Sequence, residues 1–179
     1  RHYQGGLQEA GGERFVGHRG RHDEGREVGW GIAASASEGE EVRVAIAGKS
    51  AVTRAVHGKW MVRLDKLPVG GPYTMTIKGK NTVIVRDILI GDVWICSGQS
   101  NMQWAVKQSE EAEGTIASAG DDRLRLFTVP RRAVDTPQTA VAASWQRDST
   151  QSVPDFSAVA YFFGKSLRKT EKVPIGLIS

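Results

Sequence analysis

Residues 91–102 read Gly91-Asp92-Val93-Trp94-Ile95-Cys96-Ser97-Gly98-Gln99-Ser100-Asn101-Met102. Val93, Trp94 and Ile95 have the apolar content of a strand, and Gly98-Gln99-Ser100 makes a turn out of it. Met102, Ala105 and Val106 then stand at i, i+3 and i+4, the spacing of a short helix opening just after Ser100. This order puts the Ser100 hydroxyl at the carboxyl end of a strand and beside a helix N-terminus. Open α/β sheets take their ligands at that edge, where backbone N–H groups and the helix dipole can stabilise an oxyanion. Gly98 permits a close turn and the approach of a substrate. The same arrangement also fits a serine that only caps a helix.

Downstream, Leu124, Leu126 and Thr128 alternate with Arg125, Phe127 and Val129 as a strand ended by Pro130. Asp155 is placed to cap a helix whose apolar stripe is Phe156, Val159, Ala160, Phe163 and Leu167. Lys165, Arg168 and Lys169 lie toward its carboxyl end, where cations suit the macrodipole. Residues 174–178 form an apolar run with the look of a buried parallel strand. Strand, helix, strand opens an α/β domain that stops abruptly at Ser179. Residues 131–152, rich in Pro, Thr, Gln and Ala, read as a long loop around an anchor, Trp145.

Upstream the period shortens to two. Val42, Val44 and Ile46 make one row, Gly48-Lys49 a turn, and residues 51–56 pair back. His57-Gly58 turns the chain into Trp60, Val62 and Leu64. Residues 68–71 turn it again into Tyr73, Met75 and Ile77, and residues 78–81 close a hairpin onto Val83 and Val85. Ile88, Ile90, Val93 and Ile95 continue the apolar rows. Six short strands at this spacing predict an antiparallel β-sandwich. The expected organisation is a flexible tail over 1–37, the β-sandwich over 38–90 and the first part of an α/β domain over 91–179. Residues 1–30 hold eight glycines, five arginines and three of the four histidines, with few large apolar groups to offset ordering entropy. His18 and His22 have the i, i+4 spacing of a metal pair, but the flanking glycines and arginines oppose both helix and cation.

Composition narrows the function classes. The 179 residues are 40% hydrophobic and 25% charged, as in folded globular chains. No apolar run approaches the 18 or so residues of a membrane span, so no membrane partner is expected. The net charge of +4 is spread along the chain without a basic, aromatic-interleaved patch, which argues against nucleic acid. One cysteine, Cys96, precludes an internal disulfide and a multi-cysteine zinc site, and no metal or other cofactor is expected.

The whole string at 93–102 resembles the nucleophile segment of the sialate O-acetylesterase family, a branch of the SGNH hydrolases with a flavodoxin-like α/β domain, in which V-W-[LI]-C-S-G-Q-S-N-M precedes the esterase domain. The Gly-Lys-Trp at 58–60, Leu-Arg-Leu-Phe at 124–127, Trp145, the helix at 156–164 and Val-Pro-Ile-Gly-Leu-Ile at 173–178 look like the same family in order. The resemblance covers about residues 38–179. It implies hydrolysis of O-acetyl esters on sialic acids or related sugars through a serine acyl-enzyme. By the same resemblance Ser100 is the nucleophile and its N–H one oxyanion donor, with Gly98, Gln99 and Asn101 supporting the site. A secreted or periplasmic setting is suggested on the same ground alone.

The chain departs from the family pattern in two places. At the front only Gly29-Trp30-Gly31 hints at the family's strand and turn, and the Gly/Arg-rich text before it reads as foreign or frame-shifted. At the back, the acid and the histidine of the triad belong after Ser179, and no histidine follows residue 57. His57 on a hairpin turn is a poor substitute base, and Cys96 inside an apolar strand is a poor nucleophile. Two readings follow: an esterase whose other half lies on a second polypeptide or was lost by truncation, or an inactive β-sandwich binding or scaffold module that keeps the motif.

Overall fold

The computed structural model describes residues 14–17, 30–64, 67–136 and 141–179. Its strands in chain order are β1 (Arg14–Gly17), β2 (Trp30–Ser35), β3 (Glu41–Ile46), β4 (Lys49–Arg54), β5 (Lys59–Leu64), β6 (Gly70–Lys78), β7 (Thr82–Ile95), β8 (Leu124–Phe127), β9 (Gln146–Arg147) and β10 (Ile175–Ile178). Two α-helices, α1 (Ala112–Ala117) and α2 (Ala158–Glu171), and two short 3-10 turns complete the described elements. The main sheet runs β4-β3-β6-β7-β10-β8-β9, and β2 and β5 form a separate antiparallel ribbon.

Two-residue turns set the first hairpins. Ala47-Gly48 and His57-Gly58 all have positive φ, the geometry that matches the twist of paired strands. Glycine takes the second place in each turn, where φ is +75° and +71°. Along β3 the burial alternates strictly, with Val42, Val44 and Ile46 inward. Trp60, Val62 and Leu64 of β5 alternate likewise and meet them in one core, together with Ala34, Ile77, Val83, Val85, Ile88 and Ile90.

The element that organises the molecule is β7. Fourteen residues long, it pairs antiparallel with β6 through its first half and parallel with β10 through its last four residues. Two of the six expected strands are therefore one. The boundary expected at 90/91 falls inside this strand, so the antiparallel and parallel parts share a continuous sheet. Its apolar rows also change phase, from Val83 and Val85 to Ile88 and Ile90. Pairing steps from Met75 opposite Val85 to Tyr73 opposite Ile88, which puts one extra residue on β7. Asp87 within that step has φ +57°. A bulge with a left-handed residue flips every later side chain to the other face, and that restores the buried row.

Close backbone approach fixes the start of the parallel part. Asp92 N–H donates to Pro174 O at 2.9 Å, and a Cβ on Gly91 would lie 2.0 Å from that same oxygen. Gly91→Ala must push β7 away from the chain entering β10. A loss of about 2–3 kcal/mol is expected, read as a lowered urea midpoint with an unchanged slope.

The tail expected over 1–37 contains two strands. β1 pairs parallel with β7 from Ile88 to Gly91, and β2 pairs with β5 along its whole length. Ile32 packs against the main core and Ala34 is buried in it, so the alternation following Gly29-Trp30-Gly31 carried more structure than its glycine-rich context suggested. His18 and His22 lie outside the described residues.

Glu40 pins two turns at once. Its carboxylate accepts from Ser37 N at 3.0 Å and from Lys80 N at 2.6 Å, joining the turn before β3 to the β6–β7 hairpin. The Lys80 N–H bond, then the Ser37 one, holds its pKa below the ordinary carboxylate value. A depressed folded-state pKa means that this stabilisation is complete above the unfolded-state value, about 4.3, and is lost as pH falls through the lower folded value. Urea titrations of wild type and Glu40→Gln should therefore differ at neutral pH and converge in acid.

Candidate active site

Three parallel strands supply the site's edge. Ile175 to Ile178 of β10 stand opposite Asp92 to Ile95 of β7 on one side and Leu124 to Phe127 of β8 on the other. The ladder runs on past the ends, from Cys96 N to Ile178 O at 2.7 Å and from Ser179 N to Phe127 O at 2.9 Å. The three carboxyl ends are thus level, and residues 97–100 leave from that edge.

One face of these strands is covered by α2. Ala158, Ala160, Tyr161 and Gly164 are its buried positions, packed with Leu124, Leu126, Ile175 and Leu177. The expected stripe was misphased: Val159 and Phe163 are 49% and 39% exposed. Ser157, not Asp155, caps the helix, its hydroxyl accepting from Ala160 N, while Asp155 pairs with Lys107 at 2.5 Å. Gly164 belongs to the buried face because a Cβ there would sit 2.5 Å from Leu177 Cδ1.

Ser100 opens a four-residue 3-10 turn, Ser100–Gln103, rather than an α-helix. Spacing of i, i+3 satisfies either geometry, so the sequence pattern did not separate them. So short a turn has little macrodipole, and the dipole argument lapses. What remains is a first turn whose leading N–H groups have no intrahelical acceptor. The N-cap residue is Gln99, in extended conformation and without a side-chain cap bond. Ser100 is therefore not the capping serine, and its side chain is exposed.

The neighbours of Ser100 are held mainly by backbone. Gln99 O accepts from Met102 N at 2.9 Å and Asn101 O from Trp104 N at 3.3 Å, while both side chains are exposed. Met102 folds back over Gly98, where a Cβ would lie 2.7 Å from Met102 Cγ. That contact, and not an unusual φ, is what calls for glycine. Past the turn, Ala158 N donates to Trp104 O at 2.8 Å, Val106 N to Phe156 O at 3.0 Å and Lys107 N to Pro154 O at 3.0 Å. This ladder ties the Ser100 segment to the entrance of α2, and sequence spacing gave no sign of it.

Of the alternative groups, Cys96 stands at this edge and His57 does not. Burial raises the pKa of the half-buried Cys96 thiol, which disfavours the thiolate a nucleophile needs. His57 is exposed in the turn between β4 and β5, at φ +53°, away from the parallel strands. Among the described residues no cluster of three or more His, Cys, Asp or Glu side chains could hold a metal, and no helix is long and apolar enough to cross a membrane.

Known proteins give this geometry a context. The sialate O-acetylesterase of Pongo abelii is 35% identical over 151 residues, 76% of this chain and 29% of that protein. The human sialate O-acetylesterase is 33% identical over 162 residues, 83% of this chain and 30% of its own length. The chain belongs to the sialate O-acetylesterase family. A solved carbohydrate acetylesterase from Xanthomonas citri is 32% identical and superimposes with a TM-score of 0.82 over 96% of this chain and 38% of that enzyme. The mostly sheet architecture is thus that of a carbohydrate acetylesterase. The chain spans less than a third of each curated family member above. No protein-family model matches it.

Proposed function

We propose that this chain carries the nucleophile-bearing part of a carbohydrate O-acetylesterase acting on O-acetylated sialic acids or related sugars. In this reading an antiparallel β-sandwich and the first part of an SGNH-type α/β domain share the long strand β7. The observation that carries the reading is Ser100 itself: an exposed, non-capping serine just past the level carboxyl ends of three parallel strands, within a family whose named members are sialate O-acetylesterases.

Ser100 Oγ attacks the acetyl carbonyl while a base takes its proton. The tetrahedral oxyanion rests on backbone N–H groups, that of Ser100 among them, with Gly98 leaving room and Gln99 and Asn101 shaping the turn. Collapse expels the sugar hydroxyl, which takes up the proton, and leaves acetyl-Ser100. Water then attacks the acyl-enzyme, releasing acetate and restoring the serine. In this reading the base and its orienting acid follow the serine in chain order, as the family resemblance implies, and no histidine follows residue 57 in these 179 residues.

The test is acetate release from an O-acetylated sugar when the chain is combined with polypeptide supplying the rest of the esterase domain. Release that Ser100→Ala abolishes is expected. Release that survives the substitution overturns the assignment. A folded, associated but silent complex favours the scaffold reading.

A further inference from the structure

The turn that carries Ser100 ends on Trp104, whose side chain is 53% exposed. Large exposed aromatics cost hydration free energy, and this one is held in place by three hydrogen bonds. Its backbone N–H donates to Asn101 O, its carbonyl accepts from Ala158 N, and its indole Nε1–H donates to Gln108 O at 2.9 Å. The loop between them is itself closed, with Ala105 N donating to Gln108 Oε1 at 3.0 Å and Gln108 N to Ala105 O at 2.9 Å. The indole's polar atom is therefore used internally, and what it leaves to solvent is carbon surface. Nearby charge is neutralised, since Lys107 is paired with Asp155.

We infer that Trp104 is the sugar platform of this site, an aromatic surface on which the apolar C–H face of a pyranose stacks while its acetyl ester lies at Ser100. This rests on the esterase reading and deepens it by assigning the carbohydrate half of the substrate. Trp104 closes the same short turn that Ser100 opens, four residues on. A ring already fixed by its own hydrogen bonds loses little freedom when a ligand covers it, which is why fixed tryptophans make good recognition surfaces. Phe162 and Phe163 are also exposed, but they stand on α2 and not on the nucleophile's turn.

The experiment is a titration of the 179-residue chain, with its tryptophan indoles labelled for NMR, using the methyl glycoside of an O-acetylated N-acetylneuraminic acid. The Trp104 signal, assigned by its loss in Trp104→Phe, should shift and saturate. Trp104→Ala should weaken binding about tenfold or more, whereas Trp104→Phe, which keeps an aromatic face, should retain most of it. Unchanged signals from the other indoles report that each variant is folded. No Trp104 shift, or equal affinity in the alanine variant, overturns the platform even if acetate release proves to depend on Ser100. A saturable Trp104 shift together with acetate release that survives Ser100→Ala keeps the platform and removes the nucleophile.

Discussion

Alanine at Ser100 is expected to lower the kcat of the assembled esterase by about 10⁴-fold or more, and the unassembled 179-residue chain is expected to show negligible turnover on p-nitrophenyl acetate. Both follow from the same chemistry. A serine hydroxyl is a weak nucleophile until a base removes its proton, and triad members act as a unit, so losing the nucleophile or the base costs nearly the whole covalent route. What survives is the smaller contribution of binding and oxyanion donors. The unassembled chain has its described histidine on the β4–β5 turn and its one thiol half-buried with a raised pKa. Measured turnover by the chain alone that vanishes in Ser100→Ala would mean that a base lies within these residues, against this account. Assembled enzyme with Ser100→Ala at near-native kcat would remove Ser100 from the chemistry.

How far the fold could be read in advance depended on whether neighbouring signals agreed. Strict alternation in β3 and β5 matched the buried rows because one face of each strand packs on the shared core. At β7 the alternation was present but its phase broke between Val85 and Ile88, and two short strands were inferred where a single bulged one runs. A phase break without turn residues is the signature of a bulge, and Arg86-Asp87 offers neither glycine nor proline. In α2 the apolar residues supported two overlapping stripes. The one containing Val159 and Phe163 has the larger side chains, but Gly164 and Tyr161 are what face Leu177 and the buried strands. Glycine carries no hydrophobic weight in a periodicity count, so the tight face was the less visible one.

The site was legible at Ser100 and illegible around it. Strand, turn and serine lie consecutively, so their juxtaposition is local. The ladder from residues 104–107 to residues 154–158 joins segments some fifty residues apart through backbone groups, and backbone pairing of irregular segments leaves no side-chain pattern. Trp104 stood two residues beyond the recognised motif. Its exposure, which sets it apart from the buried Trp60 and Trp145, is a tertiary property.

Asp87→Ala is expected to destabilise the chain by about 3–5 kcal/mol, the range for stripping one partner from a buried ion pair. The bulge on β7 aims this carboxylate at β8, where it accepts from Arg125 Nη2 at 3.1 and 3.2 Å, and from Arg147 Nη2 of β9 at 2.8 Å. Arg125 is 1% exposed, and its remaining bonds are to the carbonyls of Asp122 and Leu124. Its Nε has no partner. Removing Asp87 would leave a sealed guanidinium without a counter-charge. The reverse deletion should be milder, because the Asp87 side chain is 19% exposed and keeps Arg147 when Arg125→Met fills the space with apolar atoms. Asp87→Asn separates charge from backbone: asparagine tolerates φ +57° nearly as aspartate does, so its loss is electrostatic, and alanine adds the cost of a left-handed conformation. Urea unfolding should therefore rank wild type above Arg125→Met, then Asp87→Asn, then Asp87→Ala. The Asp87→Ala, Arg125→Met double variant should recover part of the loss. An Asp87→Ala stability within about 0.5 kcal/mol of wild type, the usual range of surface substitutions, would show that the pair is not what holds β8 and β9 to the bend in β7. The bend would then rest on apolar packing alone.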